Sequence, residues 1–144
     1  MSTRALVRFV NKEGKNVATI YKHFDGYPEG FGLDLANFLS DMVIVEGIDL
    51  VHRGHVANGF VHKGHVADGM ECLAAQVVAF FKQGVGDVYL YPSDTLESDT
   101  DVNYVYIIKD KGDGDILFIV YNGSRVLFSG NPLGLFYWVN NTGE

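Results

Sequence analysis

Four of the five histidines in this chain stand within fourteen positions, at His52, His55, His62 and His65. Clustered imidazoles at short spacing invite a metal-ion reading. The spacing comes from a duplication. VHRGHVANGF at 51–60 is followed directly by VHKGHVADGM at 61–70, and the copies differ only as Arg53/Lys63, Asn58/Asp68 and Phe60/Met70. Asn58-Gly59 is a two-residue hairpin signal. Such a turn sets His55 opposite His62 and His52 opposite His65. Residues three apart on a strand face opposite ways, so the two pairs point to opposite faces. Each pair supplies two ligands where a structural zinc takes four. The cluster therefore reads either as a partial metal site or as an exposed, duplicated loop. A ten-residue period is far too short for a solenoid.

The second constellation is His23, Asp25 and Tyr27, in the turn-rich stretch HFDGYPEGFG. An imidazole beside a carboxylate can do acid–base work, and a following helix start could hold a small anionic ligand. The competing reading is a turn: Asp25 forms an Asx-turn while Tyr27 and Pro28 pack the corner. The single cysteine, Cys72, falls in the first turns of a predicted helix, where the helix dipole lowers a thiol pKa. His65 or His23 could serve it as base. Free cysteines are also among the most buried residues, so Cys72 reads equally as a small hydrophobe. Gln76 lies one turn on from Cys72, and its amide needs partners if buried: either loop backbone or a pocket. The carboxylates of DKGDGD at 110–115 miss the EF-hand spacing and read as a solvated loop. No P-loop, dinucleotide fingerprint, G-x-S-x-G or HExxH occurs, so no cofactor is expected.

These residues need elements to position them. DGMECLAAQVVAFFKQG at 68–84 has Asp68 and Glu71 at capping-box spacing and Gly84 where a left-handed cap is wanted. Its interior is apolar nearly all round, which predicts a helix buried on more than one side. Leu73, Val77 and Phe80 are expected to have almost no exposed surface. Phe31, Leu35, Phe38 and Met42 recur at helical spacing and predict a second helix at about 28–42. RALVRFV and NVATIYK, with NKEG between them, read as a hairpin. VIVEGIDL at 43–50, DVYLYP at 87–92 and VNYVYIIK at 102–109 read as strands. DILFIVY and SRVLFS flank Asn122-Gly123 as a second hairpin. Residues 132–139 could be helix or strand. Strands at both ends with helices between them give an α+β fold: a mostly antiparallel sheet with two helices packed on one face, in a single domain over residues 1–144.

Three stretches carry a resemblance: TIYKHFDGYPEGFG at 19–32, DGMECLAAQVVAFFK at 68–82 and YVYIIK at 104–109. Over roughly residues 18–110 the chain resembles a family of small uncharacterised proteins of phages, large DNA viruses and bacteria. H-x-D-G-Y-P and G-M-x-C-L-A-A-Q are its most specific marks. The resemblance implies a shared fold and carries no activity or ligand. The tandem repeat departs from the family's pattern, which fits an insertion.

At 144 residues and 47% hydrophobic content, the chain can bury a core without staples. A net charge of -7 opposes nucleic-acid phosphates, so no nucleic acid is expected. No apolar run reaches membrane-spanning length and the start shows no signal peptide, so neither membrane insertion nor secretion is expected. One cysteine fits a reducing, cytoplasmic setting. The composition and the incomplete catalytic sets point to a non-enzymatic binding or accessory module. It would act through an unknown protein partner and could form a homo-oligomer. The alternative is a small hydrolase or metal-binding protein using His23, Asp25 and the repeat histidines.

Overall fold

The computed structural model describes residues 2–46 and 66–142. The repeat histidines, the predicted hairpin around Asn58-Gly59 and residues 47–50 of the predicted strand lie outside the described residues. β1 (Ala5–Val10) and β2 (Asn16–Lys22) form the first hairpin. A single wide helical turn, Pro28–Gly32, leads into α1 (Leu33–Leu39). Short strands β3 (Val43–Val45) and β4 (Val66–Asp68) pair in parallel. Then come α2 (Gly69–Phe81), β5 (Val88–Tyr91), β6 (Tyr104–Asp110), β7 (Ile116–Asn122), β8 (Arg125–Gly130) and α3 (Gly134–Thr142).

The main sheet has the order β5-β2-β1-β6-β7-β8. Every pairing in it is antiparallel except β1 with β6. The fold is thus α+β with a mostly antiparallel sheet, as the strand patterns predict. Gly123, at φ +62°, makes the turn between β7 and β8. Alternation sends Ala5, Val7, Phe9, Ile20, Tyr106, Ile108, Phe118 and Val120 to one face of the sheet, where they form one core with Leu35, Leu39, Leu73, Val77 and Leu135. Within 132–139 the chain turns helical from Gly134 onward: α3, the third of the described helices, packs against β8, α1 and the wide turn. The other sheet face buries Leu6 and Val105. The acidic segment 93–101 is tied there by Arg8 to the Thr95 carbonyl at 2.6 Å and by Arg4 to Asp101 at 2.7 Å.

Two expectations for α2 are corrected. Asp68 precedes the helix but makes no side-chain cap bond, and its ψ of 82° is not capping geometry, because β4 runs straight into the helix through Gly69 at φ +80°. The far end stops at Phe81, with Lys82 extended and Gly84 two residues beyond at φ +113°. Nor is the helix buried all round. Leu73 and Val77 are 0% and 1% exposed, but Phe80 is 59% exposed. The three described helices share one sheet face, so each keeps a solvent side, and Ala75 and Ala79 lie on that of α2. Phe80 sits in the last turn, its ring 4.8 Å from that of Phe38 and 5.0 Å from that of Phe81, with most of its surface still exposed.

Candidate functional site

The site grows from the end of β2. Lys22 points to the helix side of the sheet and is nearly buried. A buried ammonium needs partners, and the start of β5 supplies them. Lys22 Nζ donates to both carboxylate oxygens of Asp87, at 2.8 and 2.7 Å, and to the Phe24 carbonyl at 2.6 Å. Asp87 Oδ1 also accepts the Phe24 amide at 2.9 Å, and the Asp87 carbonyl accepts the His23 amide at 2.8 Å. Burial pushes the Asp87 carboxyl up, but the Lys22 hydrogen bond, the amide bonds and the Lys22 charge outweigh it and hold the pKa below the ordinary carboxylate value. The Lys22 ammonium also sits 5.4 Å from the Phe31 ring centroid. This clasp joins β2, β5 and the connection 23–27.

The connection itself is held by backbone. Gly26 N donates to the Thr3 carbonyl at 2.8 Å, and buried Tyr106 donates its hydroxyl to the Gly26 carbonyl at 2.7 Å. A Cβ on Gly26 would lie 2.9 Å from the Ala5 Cβ, so only glycine allows the approach. Burial drives the Tyr106 phenol far above its ordinary pKa, so it stays a donor. Asp25, just before, is left-handed at φ +57°, and Asp87 is left-handed at φ +68°. Two non-glycine residues in this region mark stored strain on both walls of one cleft.

That cleft encloses about 470 Å³. Its walls include the Lys22–Asp87 clasp, Asp25, Tyr27, Phe31, Asp34, Phe81, Gln83 and Val85. The carboxylates of Asp25 and Asp34 are exposed, as are Gln83 and the whole of Val85. Exposed Phe24 belongs to the clasp, and exposed Phe80 lies against Phe81 at 5.0 Å.

The predicted site residues divide. Asp25 and Tyr27 line the cleft. His23 leaves it and turns to the opposite sheet face. There its Nδ1 lies 2.8 Å from the Tyr21 hydroxyl and its Nε2 lies 3.4 Å from Ser2 Oγ. The His23 partners are thus Tyr21 and Ser2, and not Asp25. Burial, opposed by the Arg4 charge, raises the Tyr21 pKa. Cys72 and Gln76 lie on α2, away from the cleft. Gln76 donates to the Val66 carbonyl at 2.9 Å and to Cys72 Sγ at 3.4 Å, so its amide ties α2 to β4. Among the described residues, no group of three or more His, Cys, Asp and Glu side chains could hold a metal ion. His52, His55, His62 and His65 fall outside that search.

Sequence reasoning missed Lys22, Asp34, Phe81, Val85 and Asp87. The spacing of Lys22 and Asp87, 65 residues apart, holds no local signal. The glycines around Val85 were the available hint of a turn beside Asp87. Compared with protein-family models, curated proteins and solved structures, the chain finds no match in any of the three. No described helix is long and apolar enough to cross a membrane.

Proposed function

We propose that this protein is a non-enzymatic binding module acting through protein contacts, with the cleft beside the Lys22–Asp87 clasp as its contact site. The observation that carries the reading is how the cleft's charges are spent. Lys22 is fully engaged by Asp87 and Phe24, so it has no bond left for a substrate. What faces solvent is a mixed surface, more polar than apolar: the Asp25 and Asp34 carboxylates and Gln83 stand beside exposed Tyr27 and Val85. A partner segment with apolar anchors and basic residues suits such a surface. The same carboxylates disfavour a small anionic ligand. The amides of Gly30, Phe31 and Gly32, which could have held one, already bond the Tyr27 and Asp25 carbonyls. A cytoplasmic setting and kinship with the phage, viral and bacterial family belong to the same proposal.

The test is titration of isotope-labelled protein with a short synthetic peptide of alternating arginine and leucine. Amide shifts should concentrate at residues 24–34 and 80–87, and Val85→Asp with Asp34→Asn should weaken binding about tenfold. Shifts scattered over the surface, or none, would sink the cleft as contact site.

One observation favours a second reading, a small hydrolase. Ser2, His23 and Tyr21 form a chain of hydrogen-bonding groups with a nucleophile–base–orienter order. A serine-reactive fluorophosphonate separates the readings. Labelling of Ser2 that disappears in His23→Ala would favour the hydrolase; an unlabelled protein supports the binding module.

A further inference from the structure

On the helix side of the sheet, the wide turn, α3 and the first residues of β6 and β8 enclose a hollow of about 380 Å³. It shares no lining residue with the cleft beside the clasp. Strand register explains its composition. Tyr104 pairs with Asn122, and Asn122 with Arg125, so the three stand in one cross-strand row. Val120, two residues before Asn122, is core, so the row faces the helices. Neighbouring strands lie about 4.8 Å apart, which sets Arg125 roughly 10 Å from Tyr104 on that face. The slip at Val120/Tyr121 is what brings Arg125 there; an unslipped register would place Val126 opposite Asn122. α3 packs on both β8 and the wide turn and carries Trp138 into the lining. Pro28 and Leu127 complete the apolar wall, and Glu29 stands beside them. Burial, and then the Glu29 charge, raise the Tyr104 pKa above its ordinary value, so Glu29 lies toward the phenol.

We propose that this hollow binds a small zwitterion: a methylated ammonium carrying a carboxylate or phosphate group. The proposal is independent of the cleft beside β5. Unlike Lys22 and Asp87, the side chains of Glu29, Tyr104 and Arg125 make no hydrogen bond or ion pair among the described residues. Their polar atoms are therefore open to a ligand. The aromatic walls, Tyr104 and Trp138, attract a cation through their ring faces. They present few acceptors for the N–H groups of a bare ammonium, so a methylated one suits them better. Glu29 supplies the counter-charge for that cation. Arg125, on the other side of the row, offers a planar fork that takes a carboxylate or a phosphate. Aromatic walls alone would also suit a neutral sugar. Two unpaired charges of opposite sign around one hollow select the zwitterion.

The experiment titrates the full chain with phosphocholine and with glycine betaine. Its readouts are the fluorescence of Trp138, the single tryptophan, and the backbone amide shifts. A saturable change is expected with at least one of the two, with shifts at 29, 104, 125–127 and 138. Tighter binding of phosphocholine identifies phosphate as the anion, and tighter binding of betaine identifies carboxylate. Choline and inorganic phosphate, which carry one charge sign each, should bind about tenfold more weakly or worse. Glu29→Gln and Arg125→Gln, both at exposed positions, should each weaken the zwitterion about tenfold, with circular dichroism establishing that each variant is folded. No saturable response to either zwitterion up to about 10 mM overturns the proposal. So does a response that both folded variants leave unchanged, or a neutral methyl glucoside that binds more tightly than either zwitterion. Choline binding as tightly as the zwitterions overturns it too, because Arg125 would then hold nothing.

Discussion

At the scale of single residues, Gly26 and Asp87 bear most of the site's architecture. Gly26 sits where any side chain meets Ala5 and the Thr3 carbonyl. Gly26→Ala should therefore lower stability by about 1–3 kcal/mol through overpacking, measured by urea unfolding. Asp25 differs: it is exposed and left-handed, with no hydrogen bond to a described side chain. Asp25→Gly should leave stability equal or raise it by up to about 1 kcal/mol by relieving that conformation. It should also weaken binding of the basic peptide. A clear loss of stability would show that the Asp25 side chain is structural. For Asp87 the folded pKa lies below the unfolded value of 3.8. The clasp's contribution is therefore present above the unfolded pKa and is lost as pH falls through the folded one. Stability should fall on acidification below about pH 4, and Asp87→Asn should flatten that fall. Asparagine keeps the left-handed backbone but leaves Lys22 without its counter-ion. At neutral pH the variant should lose about 1–3 kcal/mol, less than a fully buried pair because the Asp87 side chain keeps 38% exposure.

At the scale of elements, α2 is the clearest case of a stripe against a sheet. Met70, Leu73, Ala74 and Val77 are buried. Leu73→Ala should cost about 2–5 kcal/mol by cavity formation. Phe80→Ala should cost well under that, because Phe80 is mostly exposed, its ring touching Phe38 and Phe81. A comparable loss at both positions, read from chemical denaturation, would mean that Phe80 is part of the core. Polarity that a helix interior would ordinarily discourage is accounted for by Gln76, whose amide joins α2 to β4. Its partner is backbone, which is the simpler of the two roles its sequence position allows.

At the scale of the whole molecule, the described helices lie on one sheet face and the strapped segment 93–101 on the other, and Lys82 bonds the main chain at the β5 edge. The duplication at 51–70 joins this body at β4, where its last residues pair with β3. Removing residues 51–60 leaves the second copy attached to α2, and changes in loop length cost little in closure entropy. The deletion variant should still unfold in one cooperative transition with near-parental stability. Loss of cooperative unfolding would place the first copy in the core.

Sequence by itself determined the class of the fold and most of its elements, because those rest on local periodicity. Alternating β-branched residues marked β1, β2, β6 and β7, Asn122-Gly123 marked the last hairpin, and Phe31, Leu35 and Phe38 marked a buried helical face, although the helix ends at Leu39 and Met42 is buried beyond it. Local chemistry stopped short at α2, where a good capping box went unused because a strand feeds the helix directly. It could not choose helix for 132–139 until α1 and β8 stood there to be covered. The site was legible only in part, since H-x-D-G-Y reads as one cluster along the chain. Tertiary structure split it: strand alternation and the turn at Gly26 send His23 to Tyr21 on one face and Asp25 and Tyr27 to a cleft on the other. The clasp of Lys22 with Asp87 was decided there too. A buried charge takes whichever counter-ion the packing of β2 against β5 brings to it, and nothing local to either residue names the other.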